Sequence, residues 1–130
     1  KKKLISFYFY VIIHTYICMY KFGVEVFMAY LDPKLVLSPK GKVSNIEVII
    51  DKGEDSYALS ILDWEGKRSV GVRWNGGSDG SIGTPQSRGI PTWFILPDLI
   101  AETYLNFLLE EEKGLSNLKI DKIKDFLKKK

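Results

Sequence analysis

The sequence predicts an α+β domain: a three- to four-stranded antiparallel meander packed against a C-terminal helix, with a short second helix after it. Three observations lead there. Between Val43 and Trp74, three runs show strand character with period-two alternation, joined by short polar connections that contain Gly. From Pro97 onward the apolar spacing changes to that of a helix. The whole chain has 130 residues, 45% of them apolar, which suits one domain with one core.

Taken in order, Asp32-Pro33 and Ser38-Pro39-Lys40-Gly41 are turn signals, and Leu35-Val36-Leu37 between them is expected as a short edge strand. Val43 to Ile50 places Ile46, Val48 and Ile50 on one face of a half-buried strand. A polar loop, Asp51 to Asp55, leads to a second strand with Tyr57, Leu59 and Ile61 on one face and Ala58, Ser60 and Leu62 on the other. Asp63-Trp64-Glu65-Gly66 reads as a tight turn with a three- to four-residue loop. In the third strand, Lys67 to Trp74, Val70, Val72 and Trp74 face one way and Ser69, Gly71 and Arg73 the other.

The stretch Asn75 to Gly89 holds five of the eleven glycines and is too long for a hairpin turn, so it is expected as a flexible, functional loop. Pro91 to Leu96 returns as a fourth strand, with Pro at its first position, where a missing ladder donor is tolerated. Pro97-Asp98 opens the main helix. Its expected buried stripe is Ile100, Tyr104, Phe107 and Leu108, and Gly114 stops it. A second helix follows, with Leu118, Ile120, Ile123 and Phe126-Leu127 inward and Lys119, Lys122, Lys124 and Lys128 to Lys130 outward. These elements divide the chain into an N-terminal extension, residues 1–27, an α+β domain, residues 28–114, and a basic C-terminal helix and tail, residues 115–130.

The extension begins KKK and continues as an almost unbroken apolar run from Leu4 to Tyr20. No A-x-A-like cleavage site follows, and seventeen residues is the lower limit for a membrane-spanning helix. Normal globular composition starts at Met28, so residues 1–27 are read as upstream or non-native sequence, with a membrane anchor as the second reading. His14 and Cys18 fall inside this segment and are assigned no chemistry.

The net charge of +3 is unevenly spread: +3 on residues 1–27, −5 on residues 28–112 and +5 on residues 113–130. An acidic globular part is a poor footprint for general DNA binding. A lone cysteine excludes an internal disulfide and a Cys-based zinc site, and fits a reducing, cytoplasmic location. Neither a P-loop nor G-x-G-x-x-G occurs among the glycines, which argues against nucleotide binding by either fingerprint. Outside the extension there is no His to activate a nucleophile. No catalytic residue, metal ligand or cofactor is therefore nominated.

Recognition has more to work with. Residues 66–94 carry Lys67, Arg68, Arg73 and Arg88 against Asp79 alone. Arg73 has small neighbours, Ser69 and Gly71, expected to leave its guanidinium room to reach a ligand, and Gln86-Ser87-Arg88 adds polar donors close in sequence to Trp93. The candidate binding residues are Arg73, Asn75, Gln86, Ser87, Arg88 and Trp93, with Lys67 and Arg68 as secondary basic contacts. An equally weighted structural reading has Trp74 and Trp93 in the core and the arginines tying down loop carbonyls.

The string Arg73-Trp74-Asn75-Gly76, followed by Pro85-Gln86-Ser87-Arg88-Gly89-Ile90-Pro91-Thr92-Trp93-Phe94, resembles a family of small bacterial proteins, some of them from mobile elements. The likeness covers about residues 45–100. It implies a compact domain with residues 1–27 outside it and brings no established activity. The leading expectation is a non-enzymatic binding module that uses residues 73–93 to hold a protein or an anionic ligand. The first alternative is nucleic-acid binding through the same patch and the lysine tail; the second is a small enzyme built on Asp and Arg. Membrane contact depends on residues 1–27.

Overall fold

Residues 30–111 and 114–129 are described by the computed structural model. The expectations for residues 1–27, including His14 and Cys18, lie outside the described residues. Alternating apolar side chains produce three strands in sequence: β1 (Val43–Asp51), β2 (Tyr57–Trp64) and β3 (Lys67–Trp74). They pair as an antiparallel meander, and a short strand, β6 (Phe94–Ile95), extends the sheet in the order β1-β2-β3-β6. Between β3 and β6 lies a separate hairpin, β4 (Gln86–Ser87) with β5 (Ile90–Pro91). Two helices follow, α1 (Asp98–Glu111) and α2 (Asn117–Lys128). The fold is α+β. Among the described residues, no helix is long and apolar enough to cross a membrane.

The β2–β3 register runs unbroken from Tyr57 opposite Trp74 to Trp64 opposite Lys67. That register leaves a two-residue loop, Glu65-Gly66, shorter than expected, with φ of 51° and 81°. Both residues sit in the left-handed region because a type I′ turn, whose twist matches the strands, requires it.

Strand β2 is covered on both sides. Leu59 and Ile61 face the helices and join Ile49, Val70, Ala101, Leu105, Ile123 and Phe126 in one buried cluster. Ala58 and Leu62 face away from them and join Val36, Val43 and Trp93 in a second. The division of β2 between two faces is the one its alternation predicts. Ile123 and Phe126 of α2 belong to the same core as the strands.

Four local expectations are corrected. Leu35-Val36-Leu37 is not a strand. Pro33–Leu35 forms a 3-10 turn, where Asp32 caps Lys34 N at 2.9 Å and Val36 drops into the second cluster. In β1 the buried residues are Val43 and Ile49, with Ile46, Val48 and Ile50 only partly covered. Register shifts between Ser44 and Glu47 and between Val48 and Ile50 break the simple alternation. The expected strand Pro91–Leu96 is split. Thr92 leaves the sheet to donate its hydroxyl to Ser38 O at 2.8 Å, and Trp93 turns beneath the sheet.

The helix stripe is also rotated. Ala101 and Leu105 are the buried residues of α1, Tyr104 and Leu108 are partly covered, and Ile100 and Phe107 are exposed. In α2, Leu118 is exposed while Ile123 and Phe126 are buried. Accordingly, Leu105→Ala is expected to cost about 2–5 kcal/mol, as for any large-to-small change in a close-packed core. Ile100→Ala should stay within about 0.5 kcal/mol. Urea denaturation midpoints of the two variants check this directly.

Candidate functional site

The loop after β3 is anchored from its first residue. Trp74 and Thr84 exchange both backbone hydrogen bonds, at 2.7 and 3.1 Å, and Asn75 N donates to Ser56 O at 2.7 Å. Asn75, Gly76 and Gly77 are buried, so this part of the loop is not the open, flexible segment expected from its glycines. Gly83 has φ of 76°, and a Cβ there would fall 2.1 Å from Trp74 O, so only glycine allows this closure.

Arg73 sits beneath the loop at 2% exposure. Its Nη2 donates to the carbonyl of Ile82, while Nε and Nη1 have no hydrogen-bond partner among the described residues. Burial lowers its pKa from the ordinary arginine value. The room expected beside Ser69 and Gly71 is filled by protein. A Cβ on Gly71 would lie 2.9 Å from Leu62 Cδ2 and 3.1 Å from Trp93 Cε3. Trp93 is 3% exposed and donates its indole N–H to Val36 O at 2.9 Å. Asn75 donates to Asp51 Oδ1 at 3.1 Å and to Gly53 O at 2.8 Å. Three of the six nominated binding residues thus face inward.

The other three are exposed. Gln86 donates to Gly83 O at 2.7 Å, and Ser87 and Arg88 occupy the β4–β5 hairpin. Arg88 has φ of 52° and Gly89 of 75°, again the type I′ geometry. The secondary cations are paired within the protein. Lys67 Nζ lies 3.0 Å from Asp98, and Arg68 bridges Glu47, Asp63 and the carbonyl of Asn45. That bridge forms one wall of a charged groove of about 530 Å³, where Lys122 adds a 3.2 Å contact to Glu47. Within it Arg68 and Lys122 pair with Glu47, and Arg68 also with Asp63. Among the described residues, no cluster of three or more His, Cys, Asp or Glu could hold a metal ion.

A second groove, of about 430 Å³, is lined by Tyr57, Val72, Arg73, Trp74, Thr84, Pro85 and Phe94. Trp74 and Phe94 each expose 58% of their surface there. The Tyr57 and Trp74 rings are perpendicular, at 87° and 6.1 Å between centroids. The aromatic surface continues across α1: the Tyr57 and Tyr104 hydroxyls are 3.4 Å apart, and Tyr104 stacks on Phe107 at 6.2 Å. Sequence reasoning missed this surface because Trp74 is in phase with Val70 and Val72. Burial fades along that face, from Val70 buried to Val72 partly buried to Trp74 exposed. The visible signal was an excess of aromatics at the strand ends: Tyr57, Trp74 and Phe94 each stand at a strand terminus.

Burial, with help from the hydrogen bond to Tyr57, pushes the Tyr104 hydroxyl up to about 12. Burial and then the hydrogen bond to Asp51 raise that of Tyr30 as well. A phenol with a raised pKa in the folded state stabilises the fold fully below its unfolded value near 10, and that stability is lost as pH rises through the folded value. Stability measured by urea denaturation should therefore fall between pH 10 and pH 12. Tyr104→Phe should make the fall shallower, with the remainder assigned to Tyr30. Comparison of the chain with protein-family models, curated proteins and solved structures finds no match.

Proposed function

We propose that this chain is a non-enzymatic binding module whose working surface is the aromatic groove between β3 and β6, and that its partner is a protein. The observation that carries this reading is the pair Trp74 and Phe94, both more than half exposed on one groove and continuous with Tyr57, Tyr104 and Phe107. Leaving so much contiguous aromatic surface in water forgoes the gain from burying it, and such patches mark interaction sites. Trp and Tyr are also the residues that dominate binding energy when a partner desolvates them.

The groove stands at the boundary of the 73–93 segment singled out from sequence, but its contacts come from apolar rings rather than from arginines. An anionic ligand has less support, because Lys67 and Arg68 are neutralised internally and Arg73 is buried. The same facts weaken the nucleic-acid alternative. We place the module in the cytoplasm on its single cysteine, and extend the reading to the small bacterial proteins that its Arg73–Phe94 string resembles.

Photo-crosslinking tests the assignment. With p-benzoylphenylalanine in place of Phe94, a discrete protein adduct is expected in lysate of the source cells. The same group in place of Leu118, an equally exposed apolar position on α2, should give none. Equal adducts at both positions, or none at position 94, would overturn the reading.

A further inference from the structure

We infer that the aromatic groove is closed by a second copy of this chain, joined edge to edge through β6; the inference rests on the binding-module reading above and names its partner. The first observation is that the groove belongs to a wider apolar face. At about 100° per residue, Ile100, Tyr104 and Phe107 fall on one flank of α1, about a quarter turn from the buried Ala101 and Leu105. That flank overlooks the groove. Tyr104 stacks on Phe107 and brings its hydroxyl to that of Tyr57, which lines the groove. Ile100 and Phe107 are more than half exposed, as are Trp74 and Phe94 on the sheet below them.

The second observation is the open edge beside this face. β6 ends the sheet, and among the described residues no strand pairs with its outer side. Leu96 N donates inward to Val70 O at 2.9 Å, so alternation along the ladder turns the N–H and C=O of Ile95 outward. A two-fold axis along the sheet normal sets β6 antiparallel to its own copy and gives those groups partners. The same axis keeps both α1 helices on one side of the joined sheet, antiparallel, with their apolar flanks facing each other. Ala101 and Leu105 pack with Leu59, Ile61 and Val70, so each α1 stands over β2 and β3. At about 4.8 Å between strands, the two helix axes lie about 19 Å apart. Helices about 10 Å wide leave room between them for one layer of side chains, which Phe94 and Trp74 of both copies fill.

The third observation is the absence of charge. In a two-fold interface each group near the axis meets its own image, so a lone charge there repels itself. Of the residues lining the groove only Arg73 is ionic, and alternation in β3 sends its guanidinium to the opposite face, where it bonds Ile82 O. Thr103 and Tyr104, between Ile100 and Phe107 on the α1 flank, are neutral. The area suits a weak, reversible pair. At more than half exposure, Trp74, Phe94, Ile100 and Phe107 together offer about 400 Å², half of the roughly 800 Å² per partner in a standard interface. Partly exposed Tyr57, Val72 and Pro85 and the β6 backbone add to it. Such a pair dissociates in the micromolar range, and at nanomolar concentration the chain is single and Trp74 is bare.

Sedimentation equilibrium of the purified 130-residue chain tests this, with a micromolar monomer–dimer equilibrium expected. Because each substitution is felt twice, Phe94→Ala should raise the dissociation constant about 100-fold. Ile100→Lys, which sets two cations facing across the joined edge, should do the same, and Leu118→Ala on α2 should change nothing. All three side chains are exposed, and circular dichroism checks that the variants keep the fold. An independent readout leaves the rest of the chain unaltered: p-benzoylphenylalanine at position 94 of the purified protein should give a covalent dimer, with the adduct on β3, β6 or α1 of the second copy.

A purified chain that stays monomeric throughout the micromolar range, while position 94 captures a different protein in lysate, would overturn the second copy and leave the binding-module reading. A monomer that captures nothing in lysate would overturn both. A dimer that persists in Phe94→Ala and in Ile100→Lys would overturn the groove as its interface.

Discussion

The indole of Trp93 lies against Gly71, in the same buried cluster as Leu62, and reaches across to hydrogen-bond the carbonyl of Val36. This contact closes the side of the sheet that the helices do not cover. A four-stranded sheet whose central strand is apolar on both faces needs a cover on each side, and here the second cover is thin. Its buried members are one tryptophan, Val36 and Val43 at the start of β1, with Leu31, Ile46, Trp64 and Ile95 packed partly buried around them. Gly71 is what admits the ring, since any Cβ at that position would meet it at 3.1 Å. The indole N–H would be an unsatisfied donor in this interior without the Val36 carbonyl, at a cost of about 1–3 kcal/mol.

The exposed groove follows from the same contact. Successive residues in extended chain point to opposite faces, so a Trp93 turned inward obliges Phe94 to point to the helix side. Phe94 stands opposite Val72 there, while α1 begins at Asp98 and buries itself over Ala101 and Leu105. Neither helix buries the Phe94–Trp74 end of the sheet. One packing decision therefore produces both the second core and the bare aromatic surface.

Much of this was legible from residue patterns. The faces of β2 and β3, the antiparallel order and Gly114 beyond the main helix all follow from alternation and turn chemistry. Alternation says which side chains share a face, but not how far a helix will extend over it, so Trp74 looked as buried as Val70. Charge was misleading for a related reason. Lys67 and Asp98 are 31 residues apart in sequence, and Arg68 and Glu47 are 21 apart, so a local count of basic residues could not reveal that they neutralise one another. The bulges that turn Ile49 inward, and the use of Pro33–Leu35 as a helical turn, depend on tertiary partners that a short window does not contain.

The claim that Trp93 is sealed while Trp74 is bare has a direct test in the three tryptophans themselves. Variants that keep a single tryptophan, with the other two changed to Phe, would be titrated with acrylamide while fluorescence is followed. The account expects the Trp74 variant to be quenched nearly as readily as free indole, with red-shifted emission. It expects the Trp93 variant to be shielded and blue-shifted, with Trp64 in between. Shielding at Trp74 with ready quenching at Trp93 would contradict both the second core and the exposed groove.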